Sequence, residues 1–143
     1  MRHPMRGYSL VELLASMSII MTLSAVSFPT VNTSVETNRL NADARRLRAQ
    51  CQNARFLAIS KNVSHRVHLN GAAVEIQRRN GTEYTTIDSF QLSQGNRIQA
   101  VWANDPVFSP RGTVSPGGSV TLESPRGMRR TISISVLGRV TEQ

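Results

Sequence analysis

The hydrophobic pattern divides the chain into an apolar run near its beginning, a narrow helical stripe and a series of short alternating segments. In the first of these, residues 8–28, Glu12 is the one charge. At about 1.5 Å per helical residue, this run covers roughly the 30 Å of a bilayer core. The pattern therefore predicts a transmembrane helix over residues 8–28.

A second pattern follows, in which small and apolar residues recur four and three positions apart. This spacing is typical of one face of an amphipathic helix. The stripe consists of Leu40, Ala44, Leu47, Cys51, Ala54 and Ala58. Pro29 lacks an amide donor and collides with the preceding turn, so a helix kink is expected there. We therefore predict that residues 29–62 continue the first helix beyond Pro29.

From Val63 onward the period changes to two, which indicates β-strands. Asn70-Gly71 and Asn80-Gly81 are strong hairpin signals. Two-residue turns centred on these dipeptides would set four pairs opposite one another: Val67 and Val74, Arg66 and Glu75, Val74 and Ile87, and Arg78 and Glu83. Residues 63–88 are thus predicted to form a three-stranded meander.

Three later segments also alternate, and turn sequences rich in Pro and Gly separate them. Their apolar positions are Ile98, Ala100 and Trp102, then Val120 and Leu122, then Ile132, Ile134 and Val136. They predict a second small sheet. The expected fold class is α+β, with a long N-terminal helix packed on an antiparallel β-sheet or β-sandwich head of residues 63–143.

Charge adds one constraint, because the chain carries a formal net charge of +8. Lys61 is the single lysine, so the basic residues are otherwise arginines. The planar guanidinium suits carboxylate and phosphate equally well. The bias therefore favours anionic partners, either acidic protein surfaces or nucleic acid.

Catalytic and metal-binding chemistry has little support in the sequence. No nucleophile elbow or phosphate-binding glycine loop occurs, so we expect neither enzymatic activity nor a cofactor nor a small-molecule substrate. His65 and His68 are separated by an odd number of strand positions, which sends them to opposite faces and disfavours a metal site. Cys51 is the only cysteine. Its place on the helical stripe favours a buried small hydrophobe over a reactive thiol.

The N-terminal residues carry a specific motif. The segment Arg6-Gly7, followed by Tyr8-Ser9-Leu10-Val11-Glu12-Leu13-Leu14, resembles the class III signal of type IV prepilins and type II secretion pseudopilins. The resemblance implies that residues 1–7 are a leader that prepilin peptidase removes after Gly7. It also implies that Tyr8 is N-methylated and that Glu12 guides docking to other pilins or pseudopilins.

Two alternatives for the same segment are an ordinary secretory signal and a plain membrane anchor. Neither explains Glu12, because a carboxylate at the centre of a spanning helix costs roughly 2.5–3.5 kcal/mol unless it is paired. Arg2 and Arg6 favour a cytoplasmic N-terminus. The expected topology is therefore a single pass through the bacterial inner membrane, with the head in the periplasm.

The C-terminal half resembles the GspH/FimT pseudopilin domain. The similar segments are Phe108-Ser109-Pro110-Arg111-Gly112, Gly117-Gly118-Ser119-Val120-Thr121-Leu122, Ile132-Ser133-Ile134-Ser135-Val136 and Gly138-Arg139-Val140. The resemblance implies a minor pseudopilin at or near the tip of a periplasmic pseudopilus in type II secretion. A type IV pilus minor pilin, used in pilus assembly or in DNA uptake, is the alternative.

DNA or another anion is a candidate partner for arginines in or beside the C-terminal loops. These are Arg111, Arg126, Arg129, Arg130 and Arg139. FimT-like members present a Gly-Arg-x-Arg stretch to DNA, whereas Gly138-Arg139-Val140-Thr141 here lacks the second arginine. Solvated loop charges and salt links to an adjacent subunit are the alternative roles for these residues.

Overall fold

The computed structural model describes residues 9–143, and for residues 25–32 it describes the helical backbone without the side chains. The helix α1 extends over Leu10–Lys61. The chain divides into two compact units, Met1–Val35 and Glu36–Gln143. Within the described residues, no helix contains an apolar stretch long enough to cross a membrane. The side chain of Pro29 lies outside the described residues, so the kink stays a prediction.

In the second unit, the predicted stripe of α1 faces the protein core. All six of its residues are at most 1% exposed: Leu40, Ala44, Leu47, Cys51, Ala54 and Ala58. The small residues among them let the sheet residues approach the helix closely. Asn62, with φ of 52°, follows the last helical residue, as is common where a helix ends. From Leu40 to Ala58, the stripe is thus one buried face of α1.

The first sheet is antiparallel and contains five strands in the order β3-β2-β1-β5-β6. Its strands are β1 His65–Asn70, β2 Ala73–Asn80, β3 Glu83–Gln91, β5 Val107–Phe108 and β6 Val114–Ser115. The predicted meander accounts for β1, β2 and β3. The two-residue strands β5 and β6 were not predicted, and they lie where the sequence indicated only a turn.

The strand pairing in both hairpins differs from the prediction. Val67 pairs with Ile76 instead of Val74, because Asn70 still belongs to β1 and the turn consists of Gly71 and Ala72. The second turn is displaced in the same way, and a bulge after Ile76 then sets Val74 opposite Phe90. In the β1–β2 hairpin the two-residue displacement leaves the side chains on their predicted faces, so the hydrophobic pattern does not distinguish the two registers. Beyond the bulge in β2 the displacement is three residues, and Ile87, which was predicted to lie opposite Val74, is 43% exposed.

The same displacement corrects the two predicted charge pairs. Arg66 lies opposite Gln77 rather than Glu75. Arg78 lies opposite Thr85 rather than Glu83. The observed turns place glycine first, with φ of 60° at Gly71 and no positive φ at the residue after it. This geometry fits a type II′ turn, whereas the predicted register required a type I′ turn centred on Asn70-Gly71.

The second sheet is also antiparallel and contains four strands in the order β4-β7-β8-β9. Its strands are β4 Arg97–Ala100, β7 Gly118–Glu123, β8 Arg129–Ile134 and β9 Val140–Glu142. A second sheet was therefore predicted correctly, but three details were wrong. Trp102 lies beyond the end of β4, Val136 lies beyond the end of β8 and is 62% exposed, and β9 was not foreseen.

Both sheets and the second half of α1 share one hydrophobic core. Phe108 and Val67 contribute from the first sheet, and Leu122 and Ile132 from the second. A helix packed on antiparallel sheets is the predicted α+β arrangement. Loops at the ends of the sheets carry Arg111, Arg126 and Arg139, whereas Arg129 and Arg130 are the first two residues of β8.

Candidate functional site

The N-terminal unit carries the first candidate site, which centres on Glu12. Gly7 and Tyr8 lie outside the described residues, so their predicted roles in cleavage and methylation stay predictions. Helix α1 begins just after Ser9, whose carbonyl oxygen accepts hydrogen bonds from the amides of Glu12 and Leu13. Glu12 is exposed, and its carboxylate has no ion pair within the described part of the chain.

Around Glu12 the helix exposes large apolar side chains on all sides. Each of the following is more than half exposed: Leu10, Val11, Leu13, Leu14, Met17, Ile19, Ile20, Met21 and Leu23. Ser16 and Ser18 turn their hydroxyl groups back to carbonyl oxygens one turn earlier, which leaves little polar surface. Such a helix is stable only when another apolar surface covers it.

The candidate arginines form two groups at opposite ends of the second sheet. Arg126, Arg129 and Arg130 lie at the turn between β7 and β8. Arg126 Nε is 3.1 Å from Glu36 Oε2, and Arg129 Nε donates to Glu123 Oε1 over 3.2 Å. Arg130 Nε donates to Asn41 Oδ1 over 3.0 Å. This group is therefore engaged with groups of its own chain.

Glu123 is the acid that organises this end of the sheet. Its carboxylate also accepts two hydrogen bonds from Arg97, at 2.9 and 2.7 Å. The hydrogen bonds from Arg97, and secondarily from Arg129, lower the pKa of Glu123 below its ordinary value. The carboxylate thus stays ionised and holds both arginines near the sheet.

Arg111 and Arg139 lie at the other end, in the β5–β6 and β8–β9 loops. A Cβ atom added to Gly138 would lie 2.4 Å from the carbonyl oxygen of Gly112, so the two loops touch. The five arginines therefore do not surround one common surface. Whether any of them contacts DNA stays a prediction.

A groove opens beside the second group, between α1 and the β8–β9 loop. It has a volume of about 620 Å³. Its helix side is lined by Arg48, Gln52, Arg55, Phe56 and Ile59, and its loop side by residues 137–140. We call this cavity the arginine groove. Three arginines and no acid line it, so its charge suits an anionic group.

Arg55 is the best-fixed of these arginines. Its Nε donates to the carbonyl oxygen of Gly112 over 3.0 Å. Gly112 and Gly138 have φ of 78° and 76°, and a Cβ atom on either would approach the Arg55 guanidinium within 3.3 Å. The two glycines therefore make room for this side chain where the loops meet.

Sequence reasoning identified Arg139 but missed the helix residues of the groove. Arg48, Gln52, Arg55, Phe56 and Ile59 are spaced four, three, one and three positions apart, next to the core stripe. The signal was a second face on the same helix that mixes arginine with large apolar residues. It was hidden because arginines outside the core stripe are usually only solvated.

The histidines and the cysteine have structural surroundings. His65 is buried, and its Nδ1 lies 2.7 Å from the Val63 carbonyl oxygen. His68 Nδ1 lies 2.7 Å from Asp105 Oδ2. Residues 9–143 contain no group of three side chains suited to a metal ion. Cys51 is buried, as predicted, and burial raises the pKa of its thiol to about 12.

Comparison with protein families decides the class of the protein. The model of the family described as Type II transport protein GspH matches residues 43–138, which is more than half of the chain. The chain belongs to the GspH family. The match covers most of the second unit, including every residue of the arginine groove except Arg139 and Val140. Among curated proteins, no relative matches the chain.

Solved structures support the GspH fold. The minor pseudopilin EpsH of the Vibrio cholerae type 2 secretion system matches with a TM-score of 0.63 and 8% identity, covering 73% of this chain and 96% of EpsH. The type IV minor pilin FimU of Pseudomonas aeruginosa matches with a TM-score of 0.63 and 21% identity, covering 76% of this chain and 90% of FimU. At these identities the matches establish the fold.

Membership of the GspH family makes the chain a minor pseudopilin, a structural subunit that assembles with other pilin-like subunits. This agrees with the uncovered apolar helix of the N-terminal unit. It also gives the arginine groove a natural context, because a filament subunit must present several surfaces to its neighbours.

Proposed function

We propose that this minor pseudopilin is made as a precursor, cleaved by prepilin peptidase after Gly7 and assembled at or near the tip of a periplasmic pseudopilus in type II secretion. The observation that carries this proposal is the GspH match over residues 43–138. The signal-like segment around Gly7 and Glu12 supports processing of the precursor.

The N-terminal unit has two successive roles in this proposal. Before assembly, residues 8–28 anchor the chain in the inner membrane, with the head in the periplasm. During assembly the same apolar side chains pack against the N-terminal helices of other subunits. Their exposure in the isolated chain, from 52% at Leu13 to 75% at Leu10, supports both roles.

Glu12 supplies the docking charge. A carboxylate surrounded by apolar side chains gains most when a cation reaches it in the same apolar environment. Cleavage after Gly7 creates such a cation, the methylated amino group of Tyr8. We assign Glu12 to the Tyr8 amine of a neighbouring subunit, so that each docking event neutralises one acid and one amine.

Two measurements test processing and docking. Mass spectrometry of the mature chain must find it beginning at Tyr8 with one added methyl group. Glu12→Ala must then reduce the amount of chain recovered in sheared pseudopili by at least roughly tenfold, since loss of a buried charge partner is costly. Ser18→Ala, which alters the same helix without a charge change, is the control. A different N-terminus, or normal recovery of Glu12→Ala, would contradict the proposal.

A second candidate function is that of a type IV pilus minor pilin. The FimU match favours it, because its identity of 21% exceeds the 8% of EpsH at the same TM-score. Deletion of the gene separates the two functions. Loss of exoprotein secretion with intact twitching and transformation supports the secretion role, whereas the reverse result assigns the chain to a pilus.

A further inference from the structure

The arginine groove combines cationic and apolar side chains that this chain leaves uncovered. Phe56 is 66% exposed, Ile59 is 50% exposed and Leu137 is 77% exposed. Large apolar side chains grouped in this way on a soluble surface mark a site of association. An occupant of the groove can therefore form apolar contacts as well as ion pairs.

The arginines of the groove lack acid partners within the described residues, whereas four arginines elsewhere on the molecule have them. Arg66, Arg97, Arg126 and Arg129 each lie within 4 Å of a carboxylate of this chain. In the described residues, neither Arg48 nor Arg139 has an acceptor for its guanidinium group, and Arg55 uses only Nε. Three guanidinium groups at one groove thus retain donors for an outside acceptor.

A second copy of this chain is poorly suited to supply those acceptors. Among the acids of residues 36–143, only Glu83 and Glu142 have no partner within the described structure. These two lie on different sheets, in β3 and β9. A chain with a net charge of +8 is also repelled by its own copies at a basic surface.

DNA would complement the charged part of the groove lining but not its apolar part. Its phosphates would satisfy the arginines, but nothing on a duplex backbone covers Ile59 and Leu137. Phe56 is the one aromatic side chain of the lining, which gives little material for base stacking. A protein segment with carboxylates beside apolar side chains would complement both the arginines and the apolar side chains of the groove.

From this complementarity we infer that the arginine groove binds an acidic segment with apolar anchor residues, contributed by a different pilin-like subunit of the same filament. The inference rests on the proposed function, which supplies such neighbours. The carboxylates of the segment pair with Arg48, Arg55 and Arg139, and its apolar side chains cover Phe56, Ile59 and Leu137. The contact lies within the second unit, Glu36–Gln143, and does not involve Glu12.

Site-specific photocrosslinking of the full chain in cells tests this inference. The photoreactive residue p-benzoylphenylalanine replaces Gln52 inside the groove, and in a control it replaces Ser119, an exposed residue of the interior strand β7. Gln52→p-benzoylphenylalanine must give a product that the Ser119 control does not give. Peptide mapping must place the link in another pilin-like subunit, at a segment containing at least two acids and neighbouring apolar residues.

Charge reversal supplies the second arm of the experiment. Arg48→Glu with Arg139→Glu must lower the yield of this product at least roughly tenfold, because like charges then face each other. Arg45→Glu with Arg78→Glu makes the same change in net charge at two exposed positions outside the groove and must leave the yield unchanged. Equal thermal midpoints of both variants in detergent show that the fold is intact.

The remaining outcomes overturn the inference. They are a crosslink to a second copy of the chain, a nuclease-sensitive crosslink to DNA, no product at position 52, and equal loss of product in both charge-reversal variants. Failure of the proposed function is distinguishable, because a deletion strain would then secrete normally. If deletion blocks secretion and position 52 gives no product, only the groove assignment fails.

Discussion

At the scale of single residues, Asp43 shows how a polar group holds this small head together. It is fully buried on the core side of α1. Its carboxylate accepts hydrogen bonds from the Ser93 amide at 2.8 Å, the Ser93 hydroxyl at 2.9 Å and the Asn96 side-chain amide at 2.7 Å. These partners belong to the linker between β3 and β4, so Asp43 fixes the passage from one sheet to the other.

We expect Asp43→Ala to lower the free energy of unfolding by about 3 kcal/mol, because it leaves buried donors without an acceptor. Asp43→Asn should cost less, since its carbonyl oxygen still accepts a hydrogen bond. Urea unfolding in detergent, followed by the fluorescence of the single tryptophan Trp102, measures both changes. Asn53→Ala, at an exposed position of the same helix, should change stability by under about 0.5 kcal/mol. A loss as small for Asp43→Ala would show that the linker is held by other contacts.

Cys51 gives a pH dependence whose sign follows from its burial. Burial raises the pKa of its thiol from 9.0 to about 12 in the folded chain. Below pH 9 the thiol is protonated in both states and contributes no pH dependence. Between pH 9 and 12 the unfolded state loses the proton and the folded state keeps it, so this group lowers stability by about 1.4 kcal/mol per pH unit.

The measurement compares wild type with Cys51→Ala between pH 8 and 10.5. The difference in unfolding free energy between the two proteins should be constant up to pH 9 and should then shift in favour of Cys51→Ala. Arginine and tyrosine groups are common to both proteins and cancel in this difference. A difference that stays constant to pH 10.5 would mean that the thiol reaches water in the folded state.

At the scale of elements, sequence patterns predicted those structures whose signal repeats several times. The stripe from Leu40 to Ala58 recurs over five turns and was therefore read correctly. Strands β5, β6 and β9 contain two or three residues, which is too short for alternation to be visible. Turn composition located both hairpins, but strand register depends on where the turn begins. In the β1–β2 hairpin the inward-facing residues are the same in either register, and in β3 the bulge opposite Ile76 turned Ile87 outward, which no turn signal indicated.

The arginine groove could not be predicted from the sequence, because its loops are held by contacts between residues that are far apart in the chain. Arg55 meets Gly112 and Gly138, which lie far from it in sequence. A glycine in a loop is ordinary, and only the fold shows that these two leave room for a guanidinium group. The apolar stripe of a helix is thus predictable from spacing, whereas a site built from three separate segments is not.

A glycine can be required because its φ is positive or because a side chain would collide with a neighbour. Gly138 and Gly71 allow these two causes to be separated. Both have positive φ, at 76° and 60°. A Cβ atom at Gly71 meets no neighbour within 4 Å, whereas one at Gly138 meets the Gly112 carbonyl oxygen at 2.4 Å. Gly71→Ala should therefore lose about 1 kcal/mol of stability from backbone strain alone, and Gly138→Ala about 3 kcal/mol or more.

Urea unfolding measures this pair as well, and crosslinking at position 52 adds a second readout. Gly138→Ala should reduce the groove crosslink, because it displaces Arg55 and the β8–β9 loop. Gly71→Ala, in a distant hairpin, should leave the crosslink unchanged. Equal stability losses in the two variants would mean that the β8–β9 loop is free to move away from Gly112.

At the scale of the whole molecule, the arginines fall into two classes: some pair with acids of this chain, and others do not. The arginines at the β7–β8 turn neutralise Glu36 and Glu123 and thereby stabilise the head. Those at the arginine groove have no such task. Net charge alone therefore overstates the basic surface that a partner meets, and three of the arginines without an acid partner in the described residues line the groove.

In the isolated chain no acidic partner occupies the groove, so its guanidinium groups should bind duplex DNA weakly and non-specifically, and their number sets the salt dependence of that binding. Each arginine that contacts a phosphate adds about one to the salt dependence of binding, because it releases a counterion. Arg48→Gln with Arg139→Gln should lower the slope of log affinity against log salt by about two, since these guanidinium groups have no acceptor in the described chain. Arg126→Gln with Arg129→Gln should change the slope by less than about one, because these charges already face Glu36 and Glu123. Gel retardation across a salt series measures both slopes, and a larger change for the second pair would place the nucleic-acid contact at the β7–β8 turn.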